Sequence, residues 1–124
     1  MLRFIVGRRP SFKHALDGLV FVLVTQKNAW IHLFATILVV AAGLLLRINL
    51  VSWLALILSI GLVWSMEIIN TAIEAMVDLL SPQFHPSAKI AKDAGAAAVL
   101  FAAITSAIVG LLVFLPAIFN LFKK

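Results

Sequence analysis

The chain of 124 residues has no cysteine and few charges, since charged residues make up 12% of it and only five are acidic. The absence of cysteine excludes disulfides and thiolate chemistry, and it leaves the redox compartment unspecified. By contrast, 64% of the residues are hydrophobic and the mean hydropathy is +1.15. A soluble domain has roughly 45–50% apolar residues. The composition therefore predicts an integral membrane protein.

Familiar nucleotide-binding and zinc-binding motifs are also missing. The sequence contains no G-x-x-x-x-G-K-[ST] loop, no protein-kinase motifs and no H-E-x-x-H. Its length allows one domain and leaves no room for a separate soluble nucleotide-binding domain. Any nucleotide site in this chain must therefore be unconventional and must lie at the bilayer.

Charge and hydropathy divide the chain into a tail, a surface helix and three spans. Residues 1–28 combine a basic tail with an amphipathic segment that suits a helix in the interface plane, although a packing helix on the cytosolic side fits nearly as well. Ser87 is placed to cap the last helix. The sequence predicts a single all-α membrane domain, 1–124, with transmembrane helices at 29–46, 50–80 and 88–119.

The second span is longer than the membrane requires. As one helix, residues 50–80 would measure about 45 Å against about 30 Å of hydrocarbon, so its last turns must emerge. Two basic residues lie in the 81–92 loop and one in the 47–50 hairpin, whereas five precede the first span, namely Arg3, Arg8, Arg9, Lys13 and Lys27. The positive-inside rule places the N-terminus and the emergent end of the 50–80 helix in the cytoplasm. Two lysines at the C-terminus argue mildly against this orientation.

Three of the five acidic residues share one face of this emergent helix with an amide. Their spacing places the side chains within an arc of about 80° and over about 16 Å of the axis. An unpaired charge in hydrocarbon costs several kcal/mol, so such carboxylates must be paired, solvated or bound to a cation. A column of oxygen acceptors suits Mg²⁺. This polar stripe consists of Glu67, Asn70, Glu74 and Asp78.

The stripe predicts phosphoryl transfer at the membrane surface. Such a reaction needs a base for the acceptor hydroxyl, carboxylates for Mg²⁺ and a cation for phosphate, and Lys89 and Lys92 lie near the stripe. Two other functions remain as alternatives. A small proton-coupled transporter would place a carboxylate nearer the middle of the bilayer. A structural or regulatory membrane subunit would leave the polar stripe unexplained. Nucleic-acid binding is not expected, because the basic residues lack interleaved aromatics.

Two segments resemble a known family. EIINTAIEAMVD at 67–78 and HPSAKIAKDAGAAAVL at 85–100 are similar to the prokaryotic diacylglycerol kinases, which are small integral membrane lipid kinases. SFKHALDGL, HPSAKIAKD and VGLLVFLP look more like the undecaprenol kinase branch. The resemblance implies ATP- and Mg²⁺-dependent phosphorylation of a lipid primary alcohol, most readily undecaprenol, with diacylglycerol as the alternative. It also implies a homotrimer in the bacterial inner membrane with its active site at the cytoplasmic face.

The resemblance also implies roles for individual residues. Glu67 matches the catalytic base and Glu74 a metal-binding glutamate. The nucleotide- or substrate-binding positions of the family match Asn70, Asp78, Lys92 and Asp93.

One position departs from the family pattern. An ungapped register places Gln26 where the family usually has a second metal-binding glutamate, so the amide keeps an oxygen acceptor but loses the charge. Three interpretations of this departure are open: a weakened enzyme, a rearranged metal site or an error in the register. Arg8 and Arg9 both neighbour the position of a family arginine. The three histidines share no metal-ligand spacing, so packing in the interface or a loop is expected for His14, His32 and His85.

Overall fold

The computed structural model describes residues 9–121, and the side chains of 11–120 within them. They form four helices and no strand: α1 (Arg9–Thr25), α2 (Lys27–Leu45), α3 (Leu50–Leu80) and α4 (Pro86–Leu121). Helices α2, α3 and α4 are long and apolar enough to cross a membrane. The prediction of a short N-terminal helix followed by three spans is confirmed. Arg8 lies outside the described residues, as does the side chain of Arg9.

Short connections join the helices. Gln26 alone separates α1 from α2, and its extended backbone (φ −100°, ψ 116°) breaks the helix. Between α2 and α3, Arg47 adopts a left-handed φ of 49°, a conformation usually left to glycine at the end of a helix. Asn49 then caps α3, because its Oδ1 accepts a hydrogen bond of 2.9 Å from the amide of Ser52.

The prediction that Ser87 caps the last helix is wrong. Pro86 is the first residue of α4, a position that suits proline because its fixed φ is helical and no amide hydrogen is needed there. His85 is therefore the cap: its Nδ1 accepts a hydrogen bond of 3.2 Å from the amide of Ser87, and its carbonyl accepts from Lys89 at 3.1 Å.

Helices α3 and α4 form an antiparallel pair that contains most of the small core. Ser106 Oγ donates to the Ser59 carbonyl at one end of the pair, and Lys92 contacts Asp78 at the other. Buried apolar side chains are few among the described residues: Val22, Ala29, Leu56, Val63, Val99 and Ala102. Most large apolar side chains are exposed, which suits a surface that faces lipid or other protein.

Helix α1 lies beside this bundle and not within it. Every residue of Ser11–Val20 is exposed, and Val22 is the one buried side chain that the structure describes on α1. The helix contacts α2 and α3. Its position allows the residue that follows it, Gln26, to reach the polar face of α3.

Candidate active site

A polar pocket of about 260 Å³ lies where α2, α3 and α4 meet. Three of its residues come from the emergent half of α3 that the polar stripe occupies, and α4 supplies small and apolar walls that include Ala96, Val99 and Ala103. The pocket thus combines side chains that are distant in the sequence. Its polar members are Gln26, Asn28, His32, Glu67, Asn70 and Glu74.

Glu67 is the most deeply buried polar residue of the pocket, with 1% of its surface exposed. Its Oε2 atom has no hydrogen-bond partner within the protein. Thr71 on the next turn donates to the backbone carbonyl of Glu67 at 2.9 Å and leaves the carboxylate unengaged. A buried acceptor without a partner is costly, and such groups are typical of functional sites. Glu67 Oε2 is thus available to accept a proton or hydrogen bond from a ligand.

Glu74 is held by two amides. Asn70 Nδ2 donates to Glu74 Oε1 at 2.9 Å, and Gln26 Nε2 donates to Glu74 Oε2 at 3.3 Å across 48 residues of sequence. Gln26 therefore lies beside Glu74. The second contact is long for a hydrogen bond and is the weaker of the two.

Asn70 also lies close to α4. Its Oδ1 is buried without a hydrogen-bond partner within the protein, and a Cβ placed on Gly95 would lie 2.3 Å from it. The absence of a side chain at Gly95 therefore leaves the space that Asn70 occupies. This role of Gly95 was not predicted from the sequence.

Asp78, the last member of the polar stripe, lies outside the pocket. Its Oδ1 pairs with Lys92 Nζ at 2.8 Å; the Asp78 side chain is largely exposed and that of Lys92 is partly exposed. Lys89 pairs with Asp93 one turn along α4. We call these four residues the surface ion pairs. Exposed pairs of this kind add little to stability and exchange readily with other partners.

His32 belongs to the pocket, although the sequence analysis expected it only to pack. Its Nε2 lies 3.7 Å from Glu67 Oε2, with 14% and 2% of the two side chains exposed. The sequence offers one signal that could have identified it, because His32 is the only ionisable residue between Lys27 and Arg47. An isolated ionisable residue within a transmembrane helix is usually functional.

An apolar groove of about 520 Å³ adjoins the pocket. Helices α2, α3 and α4 all line it, and its walls include Val39, Leu56, Phe114 and Leu115. His32 and Ala103 line both the groove and the pocket. The two spaces therefore meet at His32, beside the carboxylate of Glu67.

The pocket offers few oxygen ligands for a hard cation such as Mg²⁺. Within residues 9–121 no three or more histidine, cysteine or acidic residues are grouped to hold a metal ion. Glu74 supplies one carboxylate, and the amides of Gln26 and Asn70 would add oxygens if each turned its oxygen inward. Mg²⁺ commonly takes one or two carboxylates and completes its shell with water and phosphate, so this donor set fits it.

The fold and the site together are those of a small membrane enzyme, with a polar pocket that opens on an apolar groove. Residues 13–114 match the family profile described as prokaryotic diacylglycerol kinase. An undecaprenol kinase from Bacillus subtilis is 43% identical over 106 residues, which are 86% of this chain and 86% of that protein. This chain therefore belongs to the prokaryotic diacylglycerol kinase family, and it is a lipid kinase.

Diacylglycerol kinases are similar to this chain at nearly the same identity. The protein from Synechocystis is 42% identical over 112 residues, which are 90% of this chain and 64% of that enzyme. The protein from Escherichia coli K12 is 40% identical over 74 residues, which are 60% of this chain and 61% of that enzyme. The prediction of the family and of lipid kinase activity is confirmed.

Proposed function

We propose that this protein transfers the γ-phosphate of ATP to the primary hydroxyl of undecaprenol. The observation that supports this most directly is the unpartnered Oε2 of buried Glu67, at the point where the pocket meets the groove. An apolar chain fits the groove, and its hydroxyl then reaches the carboxylate. The similarity to an undecaprenol kinase over most of both chains favours this acceptor.

Diacylglycerol is the alternative acceptor. The Synechocystis diacylglycerol kinase is almost as similar to this chain as the Bacillus enzyme is. The hydroxyl of diacylglycerol would meet the carboxylate of Glu67 as the hydroxyl of undecaprenol does. The reaction steps therefore do not depend on the choice of lipid.

In the proposed reaction Glu67 is the general base. The lipid O–H bond breaks and its proton moves to Glu67 Oε2, while the lipid oxygen forms a bond to the γ-phosphorus of ATP. The bond from that phosphorus to the bridging oxygen breaks, and ADP leaves with its electron pair. Burial strengthens the interaction of Glu67 with the hydroxyl because water does not compete there.

Glu74, Gln26 and Asn70 are the residues we assign to Mg²⁺. When bound, the ion would neutralise charge on the phosphates of ATP. Glu74 is the only carboxylate in this trio, so the protein alone would bind the ion weakly and phosphate oxygens would complete the site. The departure at Gln26 is then a loss of charge and not a loss of a ligand.

Three members of the surface ion pairs, Lys92, Asp78 and Asp93, are the nucleotide-binding residues of the proposal. Lys92 would exchange Asp78 for phosphate oxygens, which its exposure permits at low cost. After leaving Lys89, the carboxylate of Asp93 would accept a hydrogen bond from a hydroxyl or amino group of the nucleotide. Both pairs lie at the end of the bundle where the loop between α3 and α4 begins, within reach of the aqueous phase.

We further propose a homotrimer in the bacterial inner membrane with the site at the cytoplasmic face. The core of one chain is small, and its exposed apolar residues leave ample surface for neighbouring protomers as well as lipid. The excess of basic residues before α2 supports the cytoplasmic orientation.

The test is phosphate transfer from radiolabelled ATP by the purified full chain in mixed micelles. Undecaprenol and diacylglycerol are supplied separately and together, with and without Mg²⁺. Faster labelling of undecaprenol supports the proposal, and faster labelling of diacylglycerol replaces the acceptor. Labelling of neither lipid by folded protein would reject both acceptors, and labelling that persists after Mg²⁺ is chelated would reject the metal assignment.

A further inference from the structure

Two polar atoms face each other in the pocket without partners. Glu67 Oε2 and His32 Nε2 are both buried, and neither has a hydrogen-bond partner within the protein. The 3.7 Å between them is too long for a direct hydrogen bond. Leaving two such groups unsatisfied is costly, so the arrangement points to a third group that bonds to both.

A hydroxyl oxygen fits the gap between these atoms. Such an oxygen lies about 2.8 Å from each partner in a normal hydrogen bond, and a triangle with those two sides spans 3.7 Å without strain. Glu67 Oε2 accepts the hydroxyl hydrogen. His32, in the tautomer with hydrogen on Nε2, donates to the hydroxyl oxygen.

The groove supplies the direction from which this hydroxyl arrives. His32 lines both the apolar groove and the polar pocket, whereas Glu67 lines only the pocket. A lipid chain in the groove thus passes the imidazole before its terminal hydroxyl reaches the carboxylate. Glu74 is already engaged by Asn70 and Gln26 and does not compete for this position.

We propose that His32 binds the oxygen of the acceptor hydroxyl and positions it against Glu67. This inference rests on the proposed lipid-alcohol kinase reaction and assigns a further residue to it. The imidazole donates one hydrogen bond throughout and exchanges no proton, so the proton still passes from the hydroxyl to Glu67. Holding the oxygen at two points aligns it for attack on the phosphorus.

The first experiment measures kinetics with the lipid alcohol that the wild-type protein phosphorylates faster. His32→Leu should lower kcat/KM for the lipid about tenfold or more, the size of one lost hydrogen bond, while KM for ATP stays unchanged. His32→Gln should restore most of the rate, because its amide N–H can occupy the position of Nε2. His32→Asn should not, because its amide is too short. His14→Leu, an exposed change on α1 outside the pocket and groove, should have no effect.

The second experiment measures binding without turnover. The methyl ether of the lipid alcohol can accept a hydrogen bond from His32 but cannot donate one to Glu67, and the deoxy analogue can do neither. At equal mole fraction, the ether should raise the thermal unfolding midpoint of the wild-type protein more than the deoxy analogue does. His32→Leu should respond equally to both, and His32→Gln should keep part of the difference.

The two experiments separate the two proposals. Failure of the wild-type protein to phosphorylate any lipid alcohol would reject the kinase reaction proposed above. A His32→Leu protein that still distinguishes the ether from the deoxy analogue, or that keeps wild-type kcat/KM, would overturn the role of His32 alone. If the leucine variant does not fold, the contrast between His32→Gln and His32→Asn decides the question.

Discussion

The two acidic ends of the polar stripe lie in opposite environments. Glu67 is 1% exposed and has a carboxylate oxygen with no partner in the protein, whereas Asp78 is exposed and paired with Lys92. Both lie on one face of the same helix. A buried, unpartnered group is costly to hold in place, whereas an exposed ion pair is easily exchanged. We therefore infer that Glu67 takes part in the reaction as the base, and that Asp78 and Lys92 contact the nucleotide reversibly.

The largest effect is expected at the buried end of the stripe. Glu67→Gln keeps the size of the side chain and removes the base, so turnover should fall by a factor of about 10² to 10⁴. Thermal unfolding in detergent should change little, because the lost carboxylate oxygen has no partner in the protein. Lipid phosphorylation and the unfolding midpoint are measured on the same preparation. Near-normal turnover would remove Glu67 from the role of base.

A smaller effect is expected at the exposed end. Lys92→Met should raise KM for ATP about tenfold through loss of a charged phosphate contact, with little change in kcat. The unfolding midpoint should not move, because the pair with Asp78 is exposed. Lys89→Met removes the same charge from the other surface ion pair and should raise KM much less. Equal effects of the two variants would mean that only the local positive charge matters.

Helix packing around the pocket offers a third test. Gly95→Ala would place a Cβ 2.3 Å from Asn70 Oδ1, so Asn70 must move and its bond to Glu74 should weaken. We expect a loss of about 1–3 kcal/mol in the free energy of unfolding, with a several-fold rise in the Mg²⁺ needed for half-maximal rate.

Gly61→Ala is the matched control on α3. A Cβ at Gly61 meets nothing within 4 Å, so this variant should be neutral or stabilised by up to about 1 kcal/mol. If both alanine variants behave alike, the contact between Gly95 and Asn70 is unimportant.

The smallest expected effect concerns the family departure at Gln26. Gln26→Glu adds a second carboxylate beside Glu74 and should lower the Mg²⁺ needed for half-maximal rate on the order of fivefold, about 1 kcal/mol. Without Mg²⁺ the two carboxylates repel, so the unfolding midpoint should fall and recover when the ion is added.

Glu74→Gln should act in the opposite direction and raise the Mg²⁺ requirement. If neither the rate nor the midpoint responds to Mg²⁺ differently in these variants, residues 26 and 74 do not form the metal site.

Periodicity and hydropathy were sufficient to predict the helices. The apolar runs indicated three spans, and the structure has helices α2, α3 and α4 over them. The cap of α4 was mispredicted because Ser87 suits a cap by residue type, whereas the geometry of Pro86 moves the helix start two residues earlier. A capping residue and a proline can each indicate a different first residue of a helix, and only the path of the chain in the structure shows which one applies.

The candidate site was less completely predictable. Helical spacing placed Glu67, Asn70, Glu74 and Asp78 on one face but treated them as equivalent. It could not say that the packing of the helices buries Glu67 and leaves Asp78 exposed. His32 shares no spacing with the stripe, because it lies on another helix.

The sequence by itself determined a membrane protein of four helices, the positions of its three spans and a column of polar groups at the end of α3. These depend on composition and on the repeat of a single helix, which are local properties. Only the tertiary structure decided that Gln26 reaches Glu74, that Gly95 makes room for Asn70 and that His32 faces Glu67. Each of these contacts joins residues on different elements, so it depends on how the helices pack and not on the periodicity of any one of them.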